Sequence, residues 1–176
     1  MATEGEIALG FRDFRRYLET MTAAVVENEL SYEQERGKPM PSRNHSVAQA
    51  RLIIEFARDG RFEPMSELAL SVAGDSYTPD LSVYEKSTFD WRKDVIRQSE
   101  MPLTVVEIFS PQQGYEQVMN KVRTYLANGV KSCWVVVPPL KTVTICLPDG
   151  TESVFHGGDA VDSATGLSAN LDRVFA

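Results

Sequence analysis

Residues 103–137 constrain the fold more than any other stretch. LTVVEIF (103–109) is a short, nearly continuous apolar run, the pattern of a strand covered on both faces. Ser110-Pro111 stops it. Tyr115, Val118, Met119, Val122, Tyr125 and Leu126 then recur at helical spacing, which predicts an amphipathic helix over 114–128. Asn128-Gly129 ends that helix, and CWVVV (133–137) supplies a second apolar strand. Strand, helix, strand in this order is a crossover unit between parallel strands, of a class that is right-handed in nearly all proteins. The expected architecture is therefore α/β, a mixed sheet flanked by helices.

The other segments fit around this unit. TVTICL (142–147) returns through Pro138-Pro139-Leu140-Lys141 as a hairpin, and a symmetric hairpin there sets Cys133 opposite Cys146. A further short strand is expected near Thr151–Phe155. Upstream, Ser42 or Asn44 caps a helix through HSVAQARLIIEFA. Residues 62–72 and 78–84 read as two strands joined by a turn at Ala73-Gly74-Asp75. Residues 85–101 are charged and without period. The first part of 10–27 reads as a helix, and 29–41 as a strand, a turn at Gly37 and a second short strand. The expected division is an N-terminal helical segment, 1–27, and a domain over 28–176.

Composition bounds the function. A chain of 176 residues with 43% hydrophobic residues can bury a core without disulfides or structural metal. No apolar run approaches the roughly 20 residues of a membrane span, and the N-terminal stretch lacks the apolar segment of a signal peptide. A cytoplasmic protein with two free thiols is expected. The net charge of −7 argues against a general nucleic-acid coat protein, but not against an enzyme with a local acidic metal site. Only two histidines are present, and no zinc-type cluster or Ser/His constellation appears.

Glu107 is the odd residue. It interrupts the apolar strand VVEIF, and burying an ionised carboxylate without a partner costs several kcal/mol or forces protonation. Three explanations are open: a metal, a salt bridge, or a strand end that reaches solvent. Asp80 is the natural companion, because it starts a strand in TPDLSVY directly after Pro79. If the two strands are neighbours, the carboxylates converge at one sheet edge, and two such groups repel unless a cation sits between them. Hard oxygen donors suit Mg²⁺ or Mn²⁺. Lys121 lies on the flank of the 114–128 helix. It either stays solvated or bends toward the pair, and periodicity alone favours the solvated placement. Glu67 and Glu33 are further acidic positions, with Glu33 read as exposed. His45 is read as a capping or surface residue at a helix start, with phosphate contact as the lesser option. Trp91, Arg92, Lys93 and Arg97 read equally as a solvated loop or a DNA contact.

The ordered set PDLSVY, LTVVEIFSP, a helix carrying Lys-x-x-x-Tyr (Lys121, Tyr125) and NGVKSCWVVVPP resembles the Uma-type putative restriction endonuclease family of the PD-(D/E)XK nuclease superfamily. YEQERGKPMPSRNHS (32–46) is similar to that family's entry, and GLSANLDRVF to its closing segment. The resemblance implies a restriction-endonuclease-like mixed sheet of four or five strands, with Asp80 and Glu107 as ligands of Mg²⁺ or Mn²⁺. It implies the Ile108 carbonyl and Glu67 as further metal positions. The superfamily's lysine two residues after the glutamate is replaced here by Phe109, and the resemblance points to Lys121 instead. Gln117, beside Glu116, stands where the family often carries an acidic residue. The implied activity is metal-dependent hydrolysis of DNA; duplex DNA as substrate and a homodimer are expected, since nuclease domains of this size commonly cut duplexes as pairs. The alternatives are a nuclease-fold domain that binds DNA or protein without cleaving, and a structural domain with Glu107 salt-bridged.

Overall fold

A computed structural model describes residues 41–110 and 113–176. The expected helix over 10–27, the hairpin over 29–41, the boundary at 27/28 and Glu33 lie outside the described residues. Ser42 starts the first described helix, α1 (Arg43–Ala57), by accepting the His45 amide on its hydroxyl at 3.3 Å. His45, Ala48, Leu52, Glu55 and Phe56 form its buried stripe.

The chain then gives β1 (Phe62–Ser66), β2 (Ala69–Val72), β3 (Asp75–Tyr77), β4 (Leu81–Glu85), the short β5 (Arg97–Gln98) and β6 (Thr104–Ile108). The single strand expected over 62–72 is two. Glu67 takes a left-handed φ of 56° and breaks the run, which the apolar pattern on either side does not reveal. β1 goes on to pair with β4, while β2 pairs with β3 and β5 in a separate three-stranded sheet. The turn at Ala73-Gly74 is present, with both residues at positive φ, but it joins β2 to β3, which begins at Asp75, and the strand expected over 78–84 is β4, which begins at Leu81.

After β6 come α2 (Tyr115–Ala127), β7 (Ser132–Val137), a 3₁₀ turn (Pro138–Leu140), β8 (Thr142–Cys146) and β9 (Glu152–Phe155). The hairpin β10 (Asp159–Val161) and β11 (Ser168–Asn170) and the one-turn α3 (Leu171–Val174) close the chain. Among the described residues the main sheet has six strands, more than the four or five expected, in the order β1-β4-β6-β7-β8-β9. β6 and β7 are parallel and all other pairs antiparallel, so the sheet is mixed, as the crossover unit requires.

The sheet buries both faces. Leu81, Val83, Val106, Ile108, Trp134 and Ile145 pack with Leu52 and Phe56 of α1, and the Phe56 and Trp134 rings meet edge to face at 5.2 Å. Each fully buried large side chain of this kind contributes about 1.5–3 kcal/mol. On the other face, Val105, Cys133 and Val135 pack with Val118, Val122 and Tyr125 of α2 and with Leu70 and Val72 of the small sheet. All five residues of β6 are buried, Glu107 included. No described helix is long and apolar enough to cross a membrane.

Candidate active site

Leu81 of β4 pairs with Val106 of β6. One step along the same antiparallel register, Asp80 stands opposite Glu107. Side chains alternate across a strand, so both carboxylates belong to the face where α2 packs. Directly opposed residues have Cα atoms about 4.5–5.5 Å apart. Asp80 is fully buried and Glu107 is 1% exposed. Two ionised groups so close and so dry need donors or cations around them.

The neighbouring elements supply donors. His45, in the first turn of α1, brings Nε2 to 3.1 Å from Asp80 Oδ1. The Ile108 amide donates to Asp80 Oδ2 at 2.6 Å. In extended backbone a residue's N–H and C=O point to the same strand edge, so the Ile108 carbonyl shares the edge that faces Asp80. From α2, one turn apart, Lys121 Nζ donates to Glu107 Oε2 at 3.3 Å and the Tyr125 hydroxyl to Glu107 Oε1 at 3.0 Å. Burial first, and the Glu107 carboxylate second, push the Tyr125 phenol far above its ordinary value, so it stays a proton donor. Lys121 is 17% exposed, and the solvated placement that periodicity favours is not the one observed.

Asp80, Glu107, Ile108 and Lys121 thus come together. Glu67 joins at one remove. Its amide donates to the Asp80 carbonyl at 3.2 Å, and Gln49 Nε2 bridges the same carbonyl (2.9 Å) and Glu67 Oε1 (3.4 Å). The left-handed backbone at Glu67 is therefore pinned to the strand end that carries Asp80. Glu116 is exposed and faces Arg123 at 3.6 Å instead. Trp91 is 92% exposed in the 85–101 stretch, which contributes only the two residues of β5 to regular structure.

Sequence reading gave His45 a capping or surface role, with phosphate contact as the lesser option, and gave Gln49 no part, yet both approach Asp80. Their signal is a polar pair at i and i+4 that begins in the stripe of the helix otherwise carrying Ala48, Leu52 and Phe56. Among the described residues, no group of three or more His, Cys, Asp or Glu side chains is arranged as a metal centre. The donors at the pair are nevertheless all hard oxygens, two carboxylates and a backbone carbonyl. That suits Mg²⁺ or Mn²⁺, since Mg²⁺ commonly keeps several waters and takes only one or two carboxylates. Two buried polar atoms beside the pair, His45 Nδ1 and Ser82 Oγ, have no hydrogen-bond partner among the described residues. They are the kind of atoms that ordered water satisfies.

Comparison with known proteins adds the following. A family model described as Uma2, putative restriction endonuclease, matches residues 15–173. The chain is similar to the crystal structure of a putative nuclease belonging to DUF820 from Anabaena variabilis, with a TM-score of 0.64 and 24% identity. That similarity covers 78% of this chain and 83% of the other, and shows a shared fold. No curated protein matches the sequence.

Proposed function

The chain belongs to the Uma2 family, described as putative restriction endonucleases, and we propose that it is a divalent-metal-dependent DNA endonuclease. The observation that carries this reading is the pair of buried carboxylates, Asp80 and Glu107, opposed in register beside a lysine. Asp80, Glu107 and the Ile108 carbonyl would hold Mg²⁺ or Mn²⁺, with Glu67 as an outer acidic position. When bound, such an ion activates water near neutral pH and stabilises charge growing on phosphate oxygens. The Ile108 amide and His45 fix the rotamer of Asp80, and Tyr125 fixes that of Glu107. Lys121 holds an ammonium group at the same carboxylate, within reach of an incoming phosphodiester oxygen, where it adds electrostatic stabilisation. Duplex DNA is the substrate, cut by a homodimer with one site for each strand. The compartment is the reducing cytoplasm.

The test is cleavage of plasmid DNA with Mg²⁺ or Mn²⁺, with and without EDTA, by the wild type and by Glu107→Gln. Gln keeps the size and removes the charge. We expect nicking or cutting that EDTA stops and that the folded variant loses. Unchanged cleavage by folded Glu107→Gln rules the site out.

The direct Lys121–Glu107 contact favours a second reading, a structural domain in which that ion pair settles the Glu107 charge. The readings separate on Mn²⁺ alone: it raises the melting temperature of an active enzyme through binding to the folded state, and leaves the inert domain unchanged.

A further inference from the structure

Among the described residues the main sheet is an open sheet with two edges, and it treats them differently. β1 carries Pro64 at its centre, which has no N–H to offer a further strand. At the other edge, β9 reads Glu-Ser-Val-Phe with no proline, lysine or bulge. Glu152, Ser153 and Val154 are exposed, and among the described residues β9 pairs only with β8. Unblunted edges of this kind template pairing with another strand.

Apolar surface lies beside it. Val154 pairs with Thr144 and shares the α2 face of the sheet. There Phe109, Tyr115, Met119, Leu140, Thr144 and Val154 line a groove of about 350 Å³. Val154 is 54% exposed, Tyr115 62% and Leu140 70%.

We propose that β9 is a homodimer interface, in which two copies pair antiparallel about a two-fold axis at Val154 to make one continuous sheet. Charge complementarity selects the occupant and the register. With the axis at Val154, Glu152 falls opposite position 156 of the partner subunit, where His156 follows the last residue of β9 in a bend, and the same pair recurs across the axis. Moving the axis to Ser153 or to Phe155 loses both pairs. Val154 meets its own counterpart, extending the apolar groove across the axis. This deepens the homodimer of the proposed function. Assembly is measured without DNA or metal, so a chain that assembles this way and does not cut sinks the nuclease reading alone.

The experiment is sedimentation of the purified chain over a concentration series at pH 6.5. Wild type should be a concentration-dependent dimer. Val154→Lys places two ammonium groups on the axis and should raise the dissociation constant about tenfold or more. Glu152→His and His156→Glu should each weaken assembly, because each puts like groups opposite one another. The double variant should restore it. Amide exchange across 152–156 in the wild type should slow as concentration rises, a readout that needs no variant. A monomer throughout the series, or a dimer indifferent to Val154→Lys with no change in exchange, overturns the proposal.

Discussion

Glu107 shows how a costly residue is kept. Its carboxylate sits in a strand whose other four members are apolar or hydroxylic and buried, and α2 relieves it through Lys121 and Tyr125. Lys121 and Tyr125 are four residues apart, so one helix face delivers a cation and a hydroxyl together. A hydrogen bond to a buried ionised group is worth about 1.5–3 kcal/mol. Tyr125→Phe should therefore lower unfolding free energy by about that amount in urea titration, with little change in packing volume. A loss under about 0.5 kcal/mol would mean that the hydroxyl is not holding a charge. The same cost explains why Ile108 matters through its backbone. Its amide approaches Asp80 to 2.6 Å, closer than His45 at 3.1 Å.

At the scale of elements, the β7–β8 hairpin closes as its sequence requires. The 3₁₀ turn over Pro138–Leu140 ends at Lys141 with a left-handed φ of 52°, and Val137 then pairs with Thr142. No bulge intervenes, so Cys133 and Cys146 are directly opposed, and both are free thiols. Burial, and next the neighbouring Cys146, push the Cys133 thiol well above its ordinary value. Burial, and next Glu152, push Cys146 up to about 11. Thiols so protonated and enclosed react slowly. We expect two reactive groups in the denatured, unreduced protein and slow labelling of the native one. Counting none after denaturation would mean that a bridge forms.

At the scale of the molecule, Glu55 ties α1 to the C-terminal segment. Its carboxylate accepts from Arg173 Nη2 at 2.5 Å, Arg173 Nε at 2.8 Å and the Asn170 amide at 3.2 Å. Those bonds, Arg173 first, hold Glu55 below its ordinary value of 4.5 despite the opposing effect of burial. A carboxyl lowered in the folded state stabilises above its unfolded pKa and loses that contribution as pH falls through the folded one. Glu55→Gln should thus be less stable than wild type at pH 7, and the gap should shrink below about pH 4.5. Thermal melts from pH 7 to pH 3 check this, and a gap constant down to pH 3 contradicts it. A second long-range hub is Asp162, fully buried, which accepts from Thr165 Oγ1 at 2.8 Å, the Ala164 amide at 2.9 Å and the Ser132 hydroxyl. What the sequence determined by itself is local: β6, α2 and the β7–β8 register follow from periodicity and a four-residue turn. The strangeness of Glu107 was equally plain, because one charge in an apolar strand needs no partner to be noticed. The strand order decided the rest. Asp80 reaches Glu107 only because β4 lies beside β6, and His45 and Gln49 reach Asp80 only because α1 packs on that sheet. The break at Glu67 and the turn of Lys121 toward the strand also depend on contacts across the fold. Periodicity tells which face a residue is on, but a buried polar group's partner comes from whichever element packing brings within hydrogen-bond distance, and that is fixed only when the sheet is assembled.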